Sequence, residues 1–174
     1  MKHLKKAVVL LCLGALLTGC GRFAYKSGVQ KLEDKKYEEA VGEFEEAIEA
    51  GESVGASWRG IGIARWETED NEGAKEAFET ALKEGAEEDV SIYQFLGSCS
   101  MKLEDYEGAA DYYKKGIALG DSGSESVQEM RFNLIAAYEK LGDYDSAKEE
   151  LATYTTDYPD DEKAAKEAEF LETR

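Results

Sequence analysis

The stretch Arg131–Ala147, RFNLIAAYEKLGDYDSA, decides how this chain folds. Leu134, Ile135 and Tyr138 fall three, four and seven places after Arg131, the spacing that lines one face of a helix. Gly142-Asp143-Tyr144 then makes a turn that ends this helix and starts a second, in which Ala147 and Leu151 stand four residues apart. Together they describe an antiparallel helix pair.

Working outward, the same signal recurs. Ala40 precedes Phe44, Ala74 precedes Phe78 and Ala109 precedes Tyr113, each by four residues, and the alanines of the four copies lie 34, 35 and 38 residues apart. The first helix of each unit returns in phase: Trp58, Ile61 and Gly62 match Tyr93, Leu96 and Gly97, and Gly97 lets a partner helix approach closely. Turns such as Lys35-Lys36-Tyr37, Glu104-Asp105-Tyr106 and Gly142-Asp143-Tyr144 start the second helix with a tyrosine. The last copy, from Arg131 through LGDYDSA to Pro159, is similar to the tetratricopeptide repeat consensus over its second half, and the resemblance covers nearly all of residues 22–160. It implies an all-α chain, an α-solenoid of four helix-turn-helix pairs stacked in a right-handed superhelix, because no pair alone buries both of its apolar faces.

The expected repeats are residues 21–54, 55–88, 90–123 and 128–161, making a domain over 20–160 with a capping helix over 161–174. Helices are expected at about 22–34, 38–50, 55–68, 72–84, 89–102, 106–118, 124–141, 144–157 and 161–172. The cap has acids at its favourable N-terminal end and a thin apolar stripe of Ala164, Ala168 and Leu171. Gly120–Ser124 reads as a flexible insertion. The first copy departs from the pattern, with Ala24, Ser27, Gly28 and Lys31 where others have larger core residues, which leaves the orientation of that helix open.

The start of the chain carries a different message. A basic MKHLKK precedes the uncharged run Ala7–Leu17, eleven residues long and too short to span a bilayer, which needs about 20. A basic start, a short apolar core and small residues at its end describe an export signal over residues 1–19. Leu17-Thr18-Gly19-Cys20 resembles the lipobox of bacterial lipoproteins. That resemblance implies that Cys20 becomes the N-terminus and is acylated with a diacylglycerol, anchoring the protein to a membrane on its extracytoplasmic face. Two acyl chains give stable attachment where one is marginal. The alternative is an ordinary secretory signal. Cys12 leaves with the signal, so Cys99 has no partner for an intramolecular disulfide and reads as a packed thiol.

Charge narrows the function. The chain holds 21 basic and 38 acidic residues, and loss of Lys2, Lys5 and Lys6 leaves a net charge of −20. Such a surface excludes nucleic acid as a partner at domain scale. Residues 20–36 are locally basic, but Arg22 and Lys26 lie nearly opposite Lys31 and Lys35 on a helix, so no single face is basic. The one histidine, His3, departs with the signal, and no metal-ligand spacing remains. Asp143-Tyr144-Asp145 lacks the glycine and distal acid of a calcium loop, and Gly60-Ile61-Gly62 sits in a helix with no preceding strand. No cofactor, metal or catalytic residue is expected, and the protein reads as no enzyme. A wall-modifying enzyme would need a deep acidic cavity.

In the family, the first helix of each pair lines a concave groove that holds a peptide or a partner helix. Carried over by repeat phase, the groove places are Tyr25, Val29 and Leu32, then Arg59, Ile63 and Trp66. The later pairs supply Gln94, Ser98, Met101 and Lys102, then Phe132, Ala136, Glu139 and Lys140. These include apolar residues where the outer helices are crowded with Glu and Lys, and an Arg beside a Trp has the composition of an interaction hot spot. Burial of Trp66, Ile63 and Leu32 as packing between repeats is the alternative reading. The paired Lys and Asn of the family's carboxylate clamp are absent. The resemblance therefore implies a membrane-anchored scaffold or assembly factor that binds a protein or peptide partner; similar lipoproteins serve barrel assembly, pilus assembly and control of wall enzymes. Only a residue or two separates Cys20 from the first helix, which favours a membrane-associated partner. A subunit docking a cationic partner on its convex acidic face is the second reading.

Overall fold

A computed structural model describes residues 23–174, and every described element is an α-helix. The expected signal over 1–19 and the acylated Cys20 lie outside the described residues. Helix α1 covers residues 23–33. It is followed by α2 (Tyr37–Glu49), α3 (Val54–Glu67), α4 (Asn71–Lys83), α5 (Val90–Lys102), α6 (Tyr106–Leu119), α7 (Glu125–Leu141), α8 (Tyr144–Asp157) and α9 (Glu162–Glu172). From α2 onward each end falls within one residue of its sequence expectation. Among the described residues no helix is long and apolar enough to cross a membrane. The chain divides into two compact units, one ending at Glu87 and the other running from Glu88 to Arg174.

In the unit ending at Glu87 the core is built on Phe44 and Phe78, both almost fully buried. A Cβ at Gly28 of α1 would lie 2.7 Å from Phe44, and one at Gly60 of α3 only 2.4 Å from the same ring. Phe44 of α2 is thus held between bare backbone on two helices. Gly62 stands in the same relation to Phe78 of α4, at 2.8 Å. The small residues of the first copy are therefore what lets α1 form and pack: Ala24 and Gly28 are buried, and Tyr25 meets the Phe44 ring at 5.9 Å between centroids. Burying one such phenylalanine contributes roughly 1.5–3 kcal/mol.

In the unit from Glu88, Gly97 of α5 faces Tyr113 of α6, a Cβ there falling 2.4 Å from the ring, and Met130 of α7 covers Gly116. Ile135, Ala147, Leu151 and Tyr154 form the next core layer, which Ala164 and Leu171 of α9 close from the C-terminal side. Arg131, 16% exposed, joins α7 to α8 by donating from Nη1 to Glu150 Oε1 at 2.7 Å. The insertion at 120–124 is tied down rather than loose. Gly123 N donates to Asp121 Oδ1 at 3.0 Å, Ser124 Oγ donates to the Asp121 carbonyl at 2.8 Å, and the Tyr158 hydroxyl donates to the Ser122 carbonyl.

The turn inside each pair has one geometry. Lys35, Glu69, Glu104 and Gly142 all have left-handed backbone, with φ of 58°, 63°, 60° and 75°. The next residue's N–H reaches back to the carbonyls of Lys31, Arg65, Ser100 and Tyr138, which satisfies the helix end in a Schellman arrangement. Asp70, Asp105 and Asp143 then cap the second helices by accepting from the backbone N–H three residues on, whereas Lys36 provides no side-chain cap for α2.

Candidate functional site

Of the fourteen residues expected on the binding face, twelve are half-buried, neither sealed in the core nor fully in water, while Lys102 and Lys140 are exposed. In the unit ending at Glu87, Tyr25 and Val29 pack, with Leu32, against the cluster of Phe44 and Ile61. Arg59, Ile63 and Trp66 follow along α3, one turn apart. Trp58 also packs on that cluster, in keeping with the core phase of its position.

In the other unit the first helices α5 and α7 stand side by side, and their rows meet directly. Gln94 Nε2 of α5 donates to Glu129 Oε2 of α7 at 2.8 Å. Ser98 Oγ lies 3.4 Å from the Tyr113 hydroxyl, beneath the surface, and Met101 packs against the cluster of Leu134 and Ala137. Phe132 stacks edge-on to Tyr154 with centroids 5.7 Å apart. The structure thus joins Gln94, Ser98, Met101 and Phe132 to the first-helix side of one unit, as it does Tyr25, Val29, Arg59, Ile63 and Trp66 in the other. Cys99 is buried in α5.

Beside Phe132 lies a pocket of about 340 Å³ between α7, α8 and the start of α9. One wall is a hydrogen-bonded set: Gln128 Nε2 donates to the Tyr154 hydroxyl at 3.1 Å and to Asp161 Oδ2 at 3.0 Å, and the Tyr154 hydroxyl donates to the same Asp161 oxygen. Asp161 Oδ1 also accepts from the backbone N–H of Lys163 and so caps α9. The Tyr154 bond, then the Lys163 N–H, hold the Asp161 carboxyl below its ordinary value. Burial, and then the Asp161 bond, push the Tyr154 phenol up to about 12. Sequence reasoning missed this set because Gln128, Tyr154 and Asp161 come from three helices, and none stands out in its own.

Farther along α7, Glu139 Oε1 is buried with no hydrogen-bond partner among the described residues. The Glu167 carboxyl of α9 faces it. Burial first, and then that second carboxyl, push Glu139 up to about 7, against the opposing charge of Lys140. Among the described residues no cluster of His, Cys, Asp and Glu could hold a metal ion.

No curated protein matches the sequence significantly. Solved structures do match in fold. YrrB, described as a TPR protein with an unusual peptide-binding site, is 24% identical with a TM-score of 0.75, over 85% of this chain and 74% of that one. A MamA fragment from Desulfovibrio magneticus RS-1 is 17% identical with a TM-score of 0.73, over 89% and 85% of the two chains. The pilF protein of Pseudomonas aeruginosa is 21% identical with a TM-score of 0.62, over 88% and 67%. Two tetratricopeptide repeat family models match residues 59–124 and 100–168. With helix pairs of that period, glycines facing the second-helix rings, and the two family matches together spanning residues 59–168, the chain belongs to the tetratricopeptide repeat family and folds as an α-solenoid.

Proposed function

We propose that this protein is a membrane-anchored scaffold of the bacterial cell envelope, tethered by a lipid on Cys20 at the extracytoplasmic face, and that its first-helix faces bind a peptide segment or helix of a membrane-associated partner. The observation that carries the binding half is the half-burial of Arg59, Ile63, Trp66, Gln94, Ser98, Met101 and Phe132 on the first helices. Side chains so placed keep contact area for a ligand while being fixed from below. The peptide-binding site ascribed to YrrB supports the same use of this fold. The anchoring half rests on the LTGC sequence and the short apolar run before it.

The test captures the intact protein from its native membrane and compares wild type with Arg59→Ala plus Trp66→Ala. The double variant is expected to lose one specific protein by at least tenfold while retaining its helical circular dichroism. An unchanged set of captured proteins overturns the binding face. Mass spectrometry of the membrane-extracted chain should find diacylglycerol on Cys20, and a bare thiol there overturns the anchor.

A further inference from the structure

The pocket beside Phe132 has a chemistry of its own. Glu125, Gln128, Glu129, Phe132 and Asn133 form one stripe of α7, at the spacing that shares a helix face. Glu125 and Glu129 are like charges one turn apart, an unfavourable neighbourhood on a helix. Neither forms an ion pair among the described residues: Glu129 accepts its hydrogen bond from the neutral amide of Gln94. Asp161 adds a third carboxylate, kept ionised and in place by Gln128, Tyr154 and the Lys163 N–H. Against these three stands one cation, Lys163, so the lining carries a net charge of −2. Lys163 does not bond to any of the three through its ammonium. Its Nζ stands over the Phe132 ring, 5.9 Å from the centroid.

That arrangement is what a site for a basic side chain needs: an aromatic face to receive a cation, acids in the lining to attract it, and the amide of Asn133 beside them. The chain's own lysine occupies the cation position from the exposed first turn of α9, on a flexible stem that can leave without disturbing the Asp161 cap, since the cap uses its backbone N–H. We infer that this pocket is a subsite for a lysine or arginine side chain of a bound peptide, which displaces Lys163 from Phe132. The inference rests on the reading of the first-helix faces as peptide-binding and adds the chemistry of one position in the ligand.

The test titrates the intact, detergent-solubilised protein with the peptide Ac-Gly-Ala-Arg-Ala-Gly-amide up to millimolar concentration. Nitrogen–proton NMR shifts of the Phe132 and Asn133 amides are followed. The reference peptide carries citrulline, neutral and nearly isosteric, in place of arginine. The arginine peptide is expected to shift these amides saturably and at least fivefold more tightly than the citrulline peptide. Lys163→Met should strengthen its binding about threefold by removing the resident cation, a gain that unfolding cannot imitate. Glu129→Gln should weaken it severalfold. Equal affinity for citrulline, no shift at these amides, or an unchanged affinity in Lys163→Met each overturns the subsite. If the Arg59→Ala plus Trp66→Ala variant still loses its partner in the capture experiment, the binding face stands and only the subsite is wrong.

Discussion

In the pair α3–α4 the bare backbone of Gly62 lies under the Phe78 ring, and in α5–α6 Gly97 lies under Tyr113; in the pair α7–α8 the same two places hold Ile135 and Leu151. The sizes have been exchanged across the contact. Where the second helix offers a ring, the first offers nothing beyond its main chain, and where the second offers an aliphatic chain, the first fills the difference. Interiors packed as densely as crystals tolerate little change in volume at a contact. What the repeat keeps is therefore a shared volume between helices, with the residue on either side free to vary.

The exchange is broken most severely by giving an early pair the large residue of the last one. Gly62→Ile places a branched side chain where even a Cβ would be 2.8 Å from Phe78. Overpacking of this kind costs about 3 kcal/mol. Adding Phe78→Leu recreates the combination found at Ile135 and Leu151 and should recover at least half of that loss. Both tryptophans, Trp58 and Trp66, lie on α3, so urea melts followed by their fluorescence read the affected unit directly. If the two substitutions simply add, the shared-volume account is wrong.

The repeat period, the helix ends and the face of each first helix were legible in the sequence because they are local: a 3.6-residue rhythm, an Asp or Gly at a turn, an alanine four residues before a ring. Gly97 could be read as a close approach for the same reason. The compensation of Ile135 by Leu151 was not, since each is an ordinary aliphatic until the two helices are laid together. The pocket at Phe132 was half legible. Its aromatic lay on the expected row, but Gln128, Tyr154 and Asp161 meet only through the packing of three helices, and Lys163 read as one more charge on a capping helix. The first copy was the reverse case: Gly28 read as a departure from the pattern, yet it lies against the Phe44 ring as Gly62 lies against Phe78.

The two units also differ in how they depend on pH, and the second carries the larger effect. Glu139 binds its proton more tightly in the native chain, at about 7, than at its ordinary 4.5. Its contribution to stability is therefore complete below about pH 4.5 and is lost as pH rises through 7. The groups facing it are Glu167 of α9, which shares the burden, and Lys140, which opposes it. With both carboxyls partly solvated, the loss is on the order of 1 kcal/mol. Glu139→Gln should leave stability unchanged at pH 4.5 and raise it by about that amount at pH 8, measured by urea melts followed by circular dichroism. Parallel pH profiles for the two proteins would show that the Glu139 carboxyl does not titrate as argued.

The smallest effect sharpens the comparison at the turns. All four pairs use the same left-handed position, but only the last fills it with glycine; Lys35, Glu69 and Glu104 hold it with side chains. A Cβ in this conformation costs about 1–2 kcal/mol, of which glycine returns part through its greater freedom in the unfolded chain. Glu104→Gly should therefore stabilise by about 0.5 kcal/mol, and Gly142→Ala should destabilise by about 1 kcal/mol. No atom outside the neighbouring residues lies within 4 Å of a Cβ at Gly142, so the cost there is conformational and carries no clash. If both substitutions move stability in the same direction, the four turns are held by their side chains and the shared backbone geometry is a consequence of packing.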